Sequence, residues 1–162
     1  MSAGAIVAKP WSEFTRDEAF DMAKLRSDVF FLEQHITEEE LDHFDRLPDT
    51  MHYWLPDERG FAAYLRVVID ESEIERQRGA SHSVGRVVVR PDRRGEGLAR
   101  VLMAQVIADC GAVPMALHAQ VYIADLYREF GFAEFGEEFD EAGIPHIMMY
   151  RSPTSGAESD DG

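Results

Sequence analysis

Hydrophobic positions along the chain change their spacing most sharply between residues 85 and 108. Val87, Val88 and Val89 make a β-branched run that predicts a buried strand, and Pro91 ends it because proline has no N–H for the ladder. Leu98, Val101, Leu102 and Val106 then recur at helical spacing, which predicts a helix over 98–109, stopped by Gly111 with Pro114 beyond. Upstream, residues 5–8 read as a short strand. Thr15 and Glu18 have capping-box spacing and open a helix with the stripe Met22, Leu25, Val29 and Leu32, running to about Gln34. Residues 36–47 are acidic, a polar loop or short helix. Strands are expected over 52–55 and 61–69 around a turn at 56–60, followed by a polar connection over 70–83 and the strand over 84–89. A strand over 115–121, a short helix over 124–130 closed by Gly131, and two last strands over 132–139 and 144–150 complete the pattern. Few helices among many strands argue for an α/β or α+β fold with one mixed sheet.

Composition narrows the class. The 162 residues, 45% hydrophobic and 29% charged, suit one soluble globular domain, expected over 1–151. From Ser152 onward the chain is Ser, Gly and acid, so 152–162 is expected to be a disordered tail. No apolar run approaches the ~20 residues that span a bilayer, and the N-terminus lacks a basic leader. A cytoplasmic protein is expected, with no membrane partner. Cys110 is the one cysteine, which excludes an intramolecular disulfide, and the six histidines show no metal-binding pair, so no metal is expected. A formal net charge of −15 argues against nucleic acid as a partner. It also makes a local exception informative: Arg86, Arg90, Arg93, Arg94 and Arg100 crowd one stretch, opposed there only by Asp92 and Glu96. A basic island suits a polyanion, and the acidic remainder suits a cationic amine.

Between strand and helix lies Arg93-Arg94-Gly95-Glu96-Gly97. Strand, glycine turn and helix together aim unpaired N–H groups and a positive dipole end at one point, an anion cradle. No Gly-x-x-x-x-Gly-Lys-Ser/Thr run is present, which excludes a kinase-type P-loop. A dinucleotide fingerprint needs a third glycine where Arg100 stands, which counts against an NAD-dependent oxidoreductase. What remains is Arg94-x-x-Gly97-x-Ala99. It resembles the acetyl-CoA signature Arg/Gln-x-x-Gly-x-Gly/Ala of the GNAT (GCN5-related) N-acetyltransferases. A second run, Gln120 to Phe132 with Leu126-Tyr127 and Gly131-Phe132, is similar to the family's downstream segment, with Gln120 in place of its Asn. Residues 28–34, 63–66, 118–120 and 143–147 resemble the ElaA-like branch.

The resemblance implies a single mixed, mostly antiparallel twisted sheet flanked by helices, and acetyl-CoA as acyl donor. The CoA diphosphate would sit on the amides of Arg94, Gly95, Glu96, Gly97, Leu98 and Ala99, with Gly95 and Gly97 expected because a Cβ would collide. Arg93 and Arg100 are further phosphate candidates. The pantetheine arm would add as a strand along Val87, Val88 and Val89, where the strands holding Val89 and Gln120 splay apart. An N–H near Val88 or Val89 would polarise the thioester carbonyl. Tyr127 is the implied general acid, and Glu33, His118, Glu141 and His146 are the candidates for accepting the amine's proton. Cys110 lies at the far end of its helix, so direct attack is expected rather than an acyl-cysteine. The expected partners are a small-molecule or protein amine and, as an assembly, a second copy of the chain. The alternative left open is a non-catalytic acyl-CoA-binding module.

Overall fold

The computed structural model describes residues 5–154. Seven strands form one sheet: β1 (Val7–Lys9), β2 (Met51–Asp57), β3 (Gly60–Ile69), β4 (His82–Val89), β5 (Met115–Gln120), β6 (Ala133–Glu141) and β7 (Ile144–Arg151). Their order is β1-β2-β3-β4-β5-β7-β6, and every neighbouring pair is antiparallel except β4 and β5. Three helices pack on it: α1 (Arg16–Arg26), α2 (Leu98–Cys110) and α3 (Ala124–Arg128). This is the mixed, mostly antiparallel sheet expected from the chain, within the expected fold class.

Strand alternation divides the core in two. Tyr53, Leu55, Leu65, Val67, Val84 and Leu117 point to one face, where they meet Leu98, Leu102, Met103 and Val106 of α2 and Tyr127 of α3. Trp54, Phe61, Tyr64 and Val88 point to the other, against Met22 and Leu25 of α1 and the following Val29 and Phe30. α1 starts as its sequence dictates: Thr15 Oγ1 accepts from the Glu18 N–H and Glu18 Oε1 accepts from the Thr15 N–H. Its continuation departs from the expected α-helix, because Ser27–Glu33 winds as a π-helix. The wider turn buries Val29 and Phe30, leaves Phe31 and Leu32 exposed, and brings Glu33 and Gln34 over the middle of the sheet.

That middle is split. β4 and β5 pair only from His82↔Met115 to Val84↔Leu117. Just beyond, β4 carries a bulge, with Arg86 and Val87 standing opposite Leu65, and Arg86 adopts the left-handed φ of 55°. The bulge bends β4 away, so its β5-facing edge has no strand partner after Val84. Of the expected tail, Ser152 to Thr154 fall within the described residues, and the Thr154 N–H donates to the Gly111 carbonyl at the end of α2. The rest of the tail lies outside them.

Candidate active site

After β4, Pro91–Arg93 forms a 3-10 turn, and Gly97 is the N-cap of α2. Gly95 and Gly97 have φ of 87° and 78°, the left-handed region that favours glycine. A Cβ at either position would meet no protein atom within 4 Å. Backbone conformation by itself calls for these glycines, and among the described residues the space beside them, where the expected diphosphate would approach, is open. No side chain caps α2, and among the described residues the N–H groups of Gly95, Glu96 and Gly97 donate to nothing. An uncapped helix start with open space over it is a place for an anion.

The five arginines are not the free basic island that their clustering suggested. Arg86 binds Glu40 and Asp42, and Arg90 binds Asp57 and Asp92. Arg93 binds Asp57 and Glu96, Arg94 binds Glu33, and Arg100 binds Glu129. Asp57 is fully buried beneath the turn, and hydrogen bonding from Arg90 holds its carboxyl down at about 2 despite that burial. Arg90 and Arg93 thus fasten the 3-10 turn to the end of β2. Arg94 and Arg100 sit in exposed pairs, which are worth at most about 1 kcal/mol and open readily to a phosphate. Arg94 Nε also donates to the Val89 carbonyl at 3.2 Å.

A cavity of about 1160 Å³ follows the split between β4 and β5. Its walls include the uncapped turn, Val87 to Val89, the end of the π-helix, the acidic stretch 38–42, His118, Gln120, Tyr127, Glu141 and His146. Two side-chain bridges cross its upper edge from the π-helix, Glu33 to Arg94 at 2.8 Å and Gln120 Nε2 to Gln34 Oε1 at 3.4 Å. Tyr127 enters from the α3 face. Burial pushes its phenol well above the ordinary value, and its hydroxyl makes no hydrogen bond among the described residues. His118 enters from the opposite face, because it alternates with the core residues Leu117 and Ala119. Its Nδ1 lies 2.9 Å from Glu141 Oε1, and His146 Nε2 lies 3.9 Å from Glu141 Oε2. Hydrogen bonding from His118 lowers the Glu141 carboxyl, against partial burial.

A family model described as an acetyltransferase (GNAT) domain matches residues 21–152. The chain belongs to the GNAT family. A UPF0039 protein of Mycobacterium tuberculosis is 35% identical to this GNAT domain over 138 residues, 85% of each chain. ElaA of Escherichia coli is 32% identical over 146 residues, 86% of this chain and 91% of its own. Its crystal structure gives a TM-score of 0.83, covering 93% of this chain and all of the other. An acyl-CoA N-acyltransferase from Pseudomonas aeruginosa gives 0.81 at 30% identity, again over 93% of this chain and all of its own.

Within this GNAT domain the residues singled out from the sequence, Val87 to Val89, Arg94 to Gly97, Gln120, Tyr127, Glu33, His118 and His146, all border or adjoin the one cavity. Three features escaped the sequence reading. The acidic stretch 38–42 forms a wall because Arg86 donates to the Glu39 and Glu40 carbonyls, a pairing across 47 and 46 residues that no local pattern announces. Gln34 bridges to Gln120 only because the π-helix turns it inward. Arg26 is fully buried beneath the wall, binding Glu40 and Asp45, and its place one residue after Leu25 on the apolar stripe was the available signal.

Proposed function

We propose that this GNAT domain is an N-acetyltransferase that moves the acetyl group of acetyl-CoA to a primary amine, on a small molecule or a protein, by direct attack in a ternary complex. The observation that carries the reading is that Tyr127 and His118 reach one cavity from opposite faces of the sheet, through the gap where β4 and β5 part. A buried neutral phenol on the donor side and an imidazole on the acceptor side are the two proton-handling groups that amide formation from a thioester needs.

The open turn fits the donor's diphosphate: the amides of Gly95, Glu96 and Gly97 and the first turn of α2 supply donors, and Arg94 exchanges Glu33 for phosphate. Glu33, whose carboxyl is lowered by its hydrogen bond from Arg94, thereby serves as a latch rather than a base. Arg93 holds the loop from below. Val88, like Arg90, turns its backbone groups to β3, so the unpaired edge of β4 offers those of Val87 and Val89 to the pantetheine arm, with the Val89 N–H the candidate donor to the thioester oxygen.

An alkylammonium of pKa ~10.4 lies about 3 units above neutrality, so freeing the amine costs about 4–5 kcal/mol. His118 accepts that first proton. The amine's lone pair forms the C–N bond as the C–S bond breaks, Tyr127 protonates the departing thiolate, and the surplus proton on the amide nitrogen restores the phenol. His118 returns its proton to water. Cys110 plays no part: it is only partly exposed at the far end of α2, and burial raises its thiol.

The test is a panel of primary amines with acetyl-CoA, read by release of free thiol. At least one acceptor should turn over, and Tyr127→Phe should lower kcat about 100-fold while retaining CoA binding. Tight CoA binding with no acceptor across a broad panel would replace this reading with a non-catalytic acyl-CoA-binding module.

A further inference from the structure

Glu141 ends β6 at the tip of the last hairpin, and its place there is set by a two-residue turn. Ala142 and Gly143 have φ of 55° and 82°, both positive as a type I′ turn requires. The tip overhangs the cavity, with Glu141, Ala142 and His146 in its wall. From there the carboxylate reaches over β7 to His118 on β5, since β7 lies between β5 and β6 in the sheet. Phe139, two residues earlier on the same face, packs edge-on against the His118 ring at 5.5 Å and 89°.

An ionised carboxylate can only accept hydrogen bonds, so the ring nitrogen 2.9 Å from Glu141 must carry the hydrogen. The other nitrogen, Nε2, then holds the lone pair, and it has no partner among the described residues. We propose that Glu141 is a positioning residue that fixes the tautomer and orientation of His118 so that Nε2 faces the acceptor amine. The inference rests on the acetyltransfer reading and assigns Glu141 a task distinct from that of a base. The amine's proton goes to Nε2, the Nδ1–H stays in place, and the new imidazolium is stabilised by the carboxylate behind it.

Glu141 faces three groups that bear on its charge: His118 from β5, His146 from β7 and Arg86 from the bulge of β4. Neutral His146 does not compete for this carboxylate, because its one N–H is used elsewhere and a ring nitrogen bearing a lone pair cannot donate. Its Nδ1 donates to the Ile144 carbonyl at 2.7 Å, which leaves Nε2 turned to the second Glu141 oxygen at 3.9 Å.

Two readouts test the proposal. In 15N spectra of histidine-labelled protein, His118 should show the Nδ1–H tautomer, and Glu141→Gln should give a mixture of both. In kinetics, Glu141→Gln should lower kcat about three- to fivefold with KM for acetyl-CoA unchanged, since the pair is half exposed and worth at most about 1 kcal/mol. Combined with His118→Ala, it should cost nothing further. A Glu141→Gln protein with unchanged ring signals, or with an unchanged kcat, overturns the proposal. Should the wild type turn over no amine at all, the acetyltransfer reading fails, and the ring signals alone decide the role of Glu141.

Discussion

Arg94 and Glu33 are each a little under half exposed, with 43% and 45% of their side chains open to solvent, so their ion pair is cheap to break and contributes little to the fold. A phosphate accepting the same guanidinium gains a charge-assisted hydrogen bond, worth about 1.5–3 kcal/mol. Arg94→Glu should therefore weaken acetyl-CoA binding roughly 10–100-fold, the conversion of that energy into affinity. The melting temperature should stay nearly unchanged. Calorimetric titration with CoA checks it, and unaltered affinity would show that the diphosphate sits elsewhere. The place of this residue at a strand-to-helix turn could be read from the sequence because its motif is contiguous: strand, proline, arginine and two glycines occupy the eleven positions 87–97. The partners of its neighbours could not. Arg90 and Arg93 find Asp57 from 33 and 36 residues away, and Arg100 finds Glu129 across 29. Clustering in sequence counts only local charge, whereas neutralisation is decided by what the fold brings alongside.

The elements were legible where one local signal dominates. Thr15 and Glu18 foretold the start of α1, and the helix does begin with both reciprocal bonds in place. Thr15→Ala should cost about 1 kcal/mol of stability in urea denaturation, with Thr15→Ser restoring most of it. An Ala variant as stable as the wild type would mean the cap is idle. The end of the same helix was illegible, since the stripe Met22, Leu25, Val29 continues into a π-helix without any break in apolar spacing. Only tertiary packing of Val29 and Phe30 against Trp54, Phe61 and Val88 selects the wider turn. Its effect on the site is direct, because a continued α-helix would give Glu33 and Gln34 different angular positions. The bulge at Arg86 is a similar case. Gly85, a glycine inside a strand, was the one local hint of it, and the bulge starts the split that the cavity follows.

At the scale of the whole molecule, a closed ring of hydrogen bonds ties α1, the acidic wall and the sheet together. Arg26 Nη1 donates to Asp45 Oδ1 at 2.7 Å and to the Tyr64 hydroxyl at 3.2 Å. The carbonyl of Asp45 can only accept, so His52 Nε2 carries the hydrogen directed at it, and His52 Nδ1 must accept from Tyr64. Every direction in the ring requires a neutral His52. Burial accordingly lowers the His52 pKa from its ordinary 6.5. Asp45 is also depressed, to about 2: burial opposes the shift, and hydrogen bonding and charge from Arg26 and Arg66 prevail. In both cases the unfolded chain binds the proton more tightly, so stability is present above the unfolded pKa and lost as pH falls towards the folded one. The unfolding free energy should therefore decline in two stages. The first begins below about pH 6.5 as unfolded-state His52 gains its proton. The second runs from about pH 4 to 2, where Asp45 alone accounts for about 2 kcal/mol. Urea denaturation at pH 7.5, 5 and 3 measures both, and His52→Gln should shrink the first stage to the part that His82, also lowered by burial, contributes, while leaving the second. A wild-type profile flat between pH 7.5 and 5 would mean that the ring tolerates a charged imidazole, and the neutral hydrogen-bond circuit would have to be abandoned.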